Sequence, residues 1–262
     1  MSSAAGAPAN SGVALDEDFH VHSTFSDGAS TLAENVEAAR ERGLRTLCLV
    51  DHVRRDTAWL PEFTAAVDQY RHQPGPRILS GVEAKILDGS GQLDVPPSLA
   101  GVDLVLIADH QFPADNGPVH PAEVRSAIAC GGMTALEAIE RLCEATANAL
   151  RTASWLPAAS ALPAASAAGS PRPLLAHLFS ILPKIGLTEA MVPEPVLTDL
   201  AKRAAHAGAM CEVNEKWSCP SVPVVAAMAA AGVSLVAGSD SHHCRDIGGY
   251  DSVRQTVSAV RA

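Results

Sequence analysis

Apolar runs of strand length recur along this chain and helical patterns fill the intervals, the signature of repeated βα units around a parallel sheet. Seven strands are expected, at Glu17–Val21, Leu44–Val50, Arg77–Val82, Val102–Ala108, Pro173–Ala176, Met210–Val213 and Ser234–Ala237. Most are near-continuously apolar, as strands buried on both faces must be. Between them, Thr31 with Glu34 makes a capping box and Gly43 stands where a helix should end. Thr134 with Glu137 repeats the box, Pro193 and Pro195 open a helix that stops near Gly208, Pro220 to Ala231 reads as a shorter helix, and a last one starts at about Asp251. Spread over 262 residues, seven units of about 37 residues suit a closed or nearly closed βα barrel forming a single domain. An open doubly wound sheet is the rival, although no glycine-rich phosphate loop follows any strand. Residues 1–16 are expected to be a flexible N-terminus and residues 17–262 the barrel. Ala153 to Pro173, nearly all Ala, Ser, Pro, Gly and Leu, is expected to be a mobile loop, with a lid over the site as the functional alternative.

The formal net charge of -10, with no Lys/Arg run, argues against a nucleic-acid or anionic-lipid surface. A small anionic substrate is compatible with it, because locally placed cations can bind one. At 4% aromatic residues, no stacking platform for bases is evident. Met1 to Ser11 has neither the basic start nor the apolar segment of a secretion signal, and apolar runs fall short of the roughly twenty residues that span a membrane. A cytoplasmic location is therefore expected. The six cysteines show no CxxC spacing, so buried free thiols are expected ahead of a zinc-thiolate site.

Histidines and carboxylates gather at the strand ends. Strand one ends in His20-Val-His22, whose alternate side chains point the same way, and Asp27 follows. Strand two ends in Asp51-His52, strand three in Glu83, strand four in Asp109-His110, strand five in His177 and strand seven in Asp240-Ser-His242. Strand six ends in Cys211-Glu212-Val-Asn214-Glu215-Lys216, polar but without histidine. Any one of these could be a capped turn. Together they are a site, because the strand C-termini of a βα barrel converge on one face. Nine candidate ligands (His20, His22, Asp27, His52, Glu83, His110, His177, Asp240 and His242) exceed one tetrahedral ion, so two to three divalent metals are implied. Mixed His and carboxylate ligation suits Zn²⁺, Mn²⁺ or Fe²⁺ better than Ca²⁺. Such a site activates a hydroxide nucleophile and clamps the oxygens of an in-line displacement at phosphorus.

His20-Val-His22-Ser-Thr-Phe-Ser-Asp27-Gly28, Val-Asp-His52, Gly81-Val-Glu83 and Gly238-Ser-Asp240-Ser-His242 with Asp246-Ile-Gly248 closely resemble the PHP (polymerase and histidinol phosphatase) family. The resemblance runs from about Asp18 to Gly249 and implies a distorted seven-stranded (β/α)7 TIM-like barrel with a trinuclear site. It implies His20, His22, Glu83 and Asp240 on a first metal, Glu83 bridging to a second held by His110 and His177, and Asp27, His52 and His242 on a third. Glu83, Asp240 and His242 are thereby also the expected catalytic residues. The activity implied is that of a metal-dependent phosphoesterase hydrolysing a small phosphate monoester by a metal-activated hydroxide, as histidinol phosphatases do.

For the substrate phosphate, Arg245, Lys216 and Arg54 are the favoured contacts among the cations that follow strand ends, with Arg55 and Lys85 behind them. Asp109 and His243 are candidates for a proton shuttle or for orienting a ligand. The expected partner is a small phosphorylated metabolite. Hydrolysis at a carbon centre (amide or lactone), a cyclic phosphodiesterase activity and a non-catalytic scaffold are the alternatives.

Overall fold

A computed structural model describes residues 12–154 and 170–261. Seven parallel strands form one sheet: β1 (Glu17–Val21), β2 (Thr46–His52), β3 (Arg77–Lys85), β4 (Leu104–Ala108), β7 (Arg172–Leu175), β8 (Met210–Asn214) and β9 (Ser234–Gly238), in that spatial order. Its edges meet where His22 N–H donates to Ser241 O at 2.8 Å and Ser241 N–H to His20 O at 3.2 Å, so the sheet is a nearly closed barrel. The (β/α)7 barrel expected from the sequence is the fold observed, and the open sheet is excluded.

Helices α1 (Leu32–Glu41), α2 (Leu60–Arg71), α3 (Pro121–Ala129), α4 (Ala135–Ser154), α5 (Glu194–His206), α6 (Val222–Ala230) and α7 (Ser252–Arg261) complete the units. Both capping boxes form: Thr31 N–H donates to Glu34 Oε2 at 2.7 Å, and Thr134 N–H to Glu137 Oε2 at 2.7 Å. Gly43 takes φ +67°, a left-handed conformation that ends α1 cheaply only as glycine. The short antiparallel hairpin of β5 (Phe112–Ala114) and β6 (Gly117–Val119) was not expected. Nor was α2, although buried Leu60, Phe63 and Val67 give it a helical spacing.

Most strand boundaries differ from expectation by one or two residues, β4 for example starting at Leu104 rather than Val102, and the C-terminal extensions of β2 and β3 have a physical reason. β2 extends beyond Val50 to His52 and β3 beyond Val82 to Lys85, because polar residues can continue a strand where their side chains face a barrel mouth rather than its core. The Ala/Pro-rich stretch also shrinks: Ala153 lies in α4 and Pro173 in β7, while residues 155–169, including Ala158 to Gly169, lie outside the described residues.

Side-chain alternation divides the core in two. Leu47 and Leu49 pack in the cluster shared with the helices, whereas Cys48 and Val50 join Leu79, Leu104, Leu106, Leu174, Met210 and Val236 in a second cluster. That second cluster is the barrel interior, since a side chain at Gly81 would run into Val50, Cys48 and Leu106. Continuing each inward row by steps of two leads from apolar to polar residues: Cys48, Val50, His52; Leu79, Gly81, Glu83, Lys85; Leu104, Leu106, Ala108, His110; Met210, Glu212; Val236, Gly238, Asp240. The barrel is thus apolar below and ligand-lined at its C-terminal mouth. All six cysteines are free, with Cys48, Cys143, Cys211 and Cys219 buried.

Asp18 ties the seam. Fully buried, it accepts from Ser239 N–H (2.9 Å) and His20 N–H (3.3 Å) on one oxygen and from Gly248 N–H (2.9 Å) on the other. Burial pushes its carboxyl up to about 6 against the pull of those hydrogen bonds. Asp18→Ala leaves these donors facing a void and should cost about 2–4 kcal/mol in a urea unfolding curve, whereas a change below about 0.5 kcal/mol would show that the seam closes without it.

Candidate metal centre

Glu83 lies at the centre of the mouth with its side chain 1% exposed. Its Oε1 is 2.9 Å from His110 Nε2 and 2.9 Å from His177 Nε2. Its Oε2 is 2.9 Å from His52 Nδ1 and 3.5 Å from the Nε2 atoms of both His20 and His22. Asp240 joins from the far side, with Oδ1 3.4 Å from His22 Nε2. Asp27, half-exposed, reaches His52 Nε2 and His242 Nε2 at 3.4 Å each and His22 Nδ1 at 3.8 Å. All nine candidate ligands expected from the sequence therefore meet in one cluster.

The cluster has the character of a ligand set rather than a hydrogen-bond network. Despite its crowded neighbours, Glu83 Oε2 has no partner in hydrogen-bond geometry, and neither does the buried His22 Nδ1. His20 and His22 bring their Nε2 atoms within 3.1 Å of each other. Buried polar atoms normally find partners, so such convergence suits a cation accepting several lone pairs. Among the described residues, three groupings have side-chain atoms close enough to share an ion: His22, Asp27, His52 and His242; His20, His22 and Glu83; and His52, Glu83 and His110. His52 thus faces Glu83 and His110 as well as Asp27, a sharing that the sequence does not reveal.

The electrostatics follow from burial. Burial alone would push the Glu83 carboxyl up, but His110 and His20 hold it well below the usual carboxylate range. Burial also opposes charge on His177, yet Asp109 and Glu83 raise it to about 10. In His20, burial is likewise outweighed by the carboxylates of Glu212, Asp240 and Glu83, and its pKa rises. His22 goes the other way: burial, with the neighbouring His20 and His52, takes it down to about 4 against Asp240 and Glu83. Divalent cations bound here would offset the same carboxylates that raise His20 and His177, and would be held by neutral imidazoles.

A second layer holds these side chains, and of its members the sequence reading anticipated only Asp109 in such a role. Glu212 is fully buried, and its two oxygens accept from His20 Nδ1 (3.0 Å) and from His177 N–H (2.7 Å). Donating from Nδ1 leaves the His20 Nε2 lone pair aimed into the cluster. Gly238 makes room for this carboxylate, since a Cβ there would overlap it. Ser180 Oγ bridges Asp109 Oδ1 (2.8 Å) and His177 Nδ1 (3.0 Å), which makes Asp109 a holder of His177. Asp51 accepts from the backbone N–H and hydroxyl of both Ser23 and Ser26, shaping the turn that presents Asp27. Trp217 Nε1–H donates to Asp240 Oδ2 at 2.8 Å. The inward parity of Glu212, two residues beyond Met210, was the available signal for it; Trp217 offered none. Two ligands, His177 (φ 30°) and Asp240 (φ 52°), sit in left-handed backbone, a strain that persists where surrounding bonds over-determine it.

Of the three substrate contacts expected, Lys216 alone reaches the ligands among the described residues, with Nζ 3.3 Å from Asp240 Oδ1 and 3.2 Å from His242 Nδ1. Arg245 is 74% exposed, its Nε 3.6 Å from Asp246. Arg54 is exposed as well, its backbone N–H donating to Thr57 Oγ1.

Residues 18–119 match the PHP domain family. The family resembled by the motifs is therefore the one whose model this stretch fits. It carries His20, His22, Asp27, His52, Glu83 and His110, while the rest of the cluster is supplied by later strands. Curated relatives are named probable phosphatases: one from Vibrio parahaemolyticus is 34% identical over 126 residues (45% of this chain, 50% of the relative), and one from Vibrio vulnificus is 33% identical over 129 residues (47% and 51%). This chain spans about half the length of the curated relatives it matches. A solved structure from Bifidobacterium adolescentis aligns over 96% of this chain and 97% of its own at 17% identity and a TM-score of 0.37.

Glu212→Gln keeps the shape but weakens the acceptor that sets His20 and His177, so metal affinity measured by chelator competition should fall about 10- to 100-fold. Gly238→Ala, which displaces the same carboxylate, should act in the same direction. Unchanged affinity in both variants would remove Glu212 from the ligand-orienting role.

Proposed function

We propose that this chain is a metal-dependent phosphoesterase that hydrolyses small phosphate monoesters, using a cluster of two to three divalent ions such as Zn²⁺, Mn²⁺ or Fe²⁺. The observation that carries the reading is the buried Glu83 carboxylate with ligand nitrogens on both oxygens and one oxygen left without a hydrogen bond. His20, His22, Glu83 and Asp240 would hold one ion, Glu83, His110 and His177 a second, and Asp27, His52 and His242 a third. Bound there, divalent cations lower the pKa of an attacking water and offset charge on phosphoryl oxygens. The naming of the relatives as probable phosphatases agrees with this chemistry.

The protein's own contributions are positional and electrostatic. Glu212 and Asp109 hold His20 and His177, Trp217 fixes Asp240, and the barrel walls exclude bulk water from Glu83. Lys216, already beside Asp240 and His242, supplies a mobile charge for a non-bridging phosphate oxygen. Water adds to phosphorus, the phosphorus–oxygen ester bond breaks, and the alcohol departs with a proton, leaving inorganic phosphate.

Reconstitution with Mn²⁺ or Zn²⁺ should give two to three ions per chain by elemental analysis, and phosphate release from a metabolite panel should exceed hydrolysis of amides and lactones. One ion or fewer, or turnover of amides or lactones alone, overturns the proposal. Glu83→Gln replaces the shared carboxylate by a neutral amide and should lower both metal content and rate; full retention of both would end its bridging role. Lys216→Ala should lower kcat/KM for the best monoester by roughly ten- to a hundredfold with metal content intact, since a charge-assisted contact is typically worth roughly 1.5–3 kcal/mol. An unchanged kcat/KM would make Lys216 a bystander.

A further inference from the structure

Lysine is scarce in this chain and unevenly placed. The sequence has lysine only at positions 85, 184, 202 and 216. Lys85 ends β3 on the inward row that carries Glu83, with Nζ 3.3 Å from Gln111 Oε1, and Lys216 touches Asp240 and His242. Lys184 lies in the short helical turn Leu182–Ile185 that follows His177, with Nζ 4.1 Å from the centroid of the Trp217 ring. Three of the four lysines of a chain with net charge -10 therefore stand at or beside the mouth of one site. Lys202 alone stands apart, in α5.

Lys184 differs from Lys216 in what it touches. Lys216 meets two of the ligands directly. Among the described residues Lys184 pairs with no carboxylate, and it is connected to Asp240 through the indole: its ammonium rests on a ring whose Nε1–H is bound to Asp240 Oδ2 and whose centroid is 6.0 Å from that of His177. Trp217 is 39% exposed, one of the few large apolar side chains left open to solvent. A cation–π contact fixes the ammonium at little entropic cost, yet a ring face offers it no hydrogen-bond acceptor. The result is a pre-positioned positive charge on a partly exposed indole, one side chain removed from the cluster.

We propose that Lys184 and Trp217 form a second subsite, which takes an anionic group on the leaving-group side of the substrate while Lys216 serves the scissile phosphate. The inference rests on the phosphoesterase reading and narrows its substrate class to phosphate monoesters bearing a second negative group, carboxylate or phosphate. The carbon skeleton between the two anions lies against the indole, and the ammonium of Lys184 donates to the distal anion.

The test is a ratio of kcat/KM values in metal-loaded full-length protein. Alkyl phosphates are compared with phosphorylated alkanoic acids and with terminal bisphosphates of matched, increasing chain length, so the two arms separate a carboxylate from a phosphate. In the parent, at least one doubly anionic series should exceed its singly anionic match by about tenfold or more at its best length, the effect of one charge-assisted hydrogen bond. K184A and K184E should collapse that ratio, K184R should keep most of it, and K202A, the control for net charge, should leave it in place. No preference in the parent at any length, or the same preference in K184A, overturns the subsite. If the metal-loaded protein hydrolyses no phosphate monoester at all, the phosphoesterase reading fails and the subsite falls with it; monoester hydrolysis without the preference sinks the subsite alone.

Discussion

A carboxylate buried to within 1% at the centre of a barrel is the constraint on which the rest of this structure depends. Alone in such surroundings, Glu83 would take up a proton or disfavour folding, because burial penalises a charge far more than a neutral acid. It stays anionic because five imidazoles reach it, from β1 and the residue after it, the end of β2 and the turns after β4 and β7. No single helix or hairpin could bring those groups within 3.5 Å of one carboxylate. A closed sheet can, because its inward rows converge at the mouth, and the seam secured by Asp18 is therefore as much a part of the site as the ligands are.

Holding that many donors in place needs a second tier, and here the strand without a ligand matters most. β8 supplies Glu212, whose two oxygens fix one ligand by its ring and another by its backbone. The left-handed backbone at His177 is the counterpart of this arrangement. A residue held there costs about 1–3 kcal/mol and remains only because Glu212 grips its N–H and Ser180 its ring. The absence of a side chain at Gly238 on β9 is the complementary feature, leaving the space that the carboxylate fills.

The legible part of this protein was the part written in local patterns. Alternation of apolar runs with capping boxes located seven strands to within a few residues, and a histidine or carboxylate at six strand ends located the side chains that converge at the mouth. What stayed hidden depends on partners distant in sequence. Glu212 acquires its role from His20, 192 positions away, and Trp217 from Asp240 in the turn after β9. The β5–β6 hairpin is only three residues per strand and includes Pro113 and Pro118, so no alternation could announce it. Arg245 and Arg54 were plausible by proximity in sequence to ligands, but sequence position does not say which way a loop side chain turns, and both are exposed.

Charge balance connects these observations. The ligand cluster carries three carboxylates, Asp27, Glu83 and Asp240, with Glu212 just behind them, in a chain that is acidic overall. Without cations such a mouth repels a phosphate dianion. Two divalent ions already offset more charge than the three ligand carboxylates supply, so the sign of the field at the mouth depends on occupancy of the ligand set rather than on the protein's net charge. Lys216 pairs with Asp240 in this geometry, and its flexible stem leaves the ammonium free to move once that carboxylate is otherwise engaged. Lys184 has no such carboxylate among the described residues, so its charge is unspent in either state. On this account an acidic surface and a cation-loaded mouth are compatible, since the first is a property of the whole chain and the second only of the residues around Glu83.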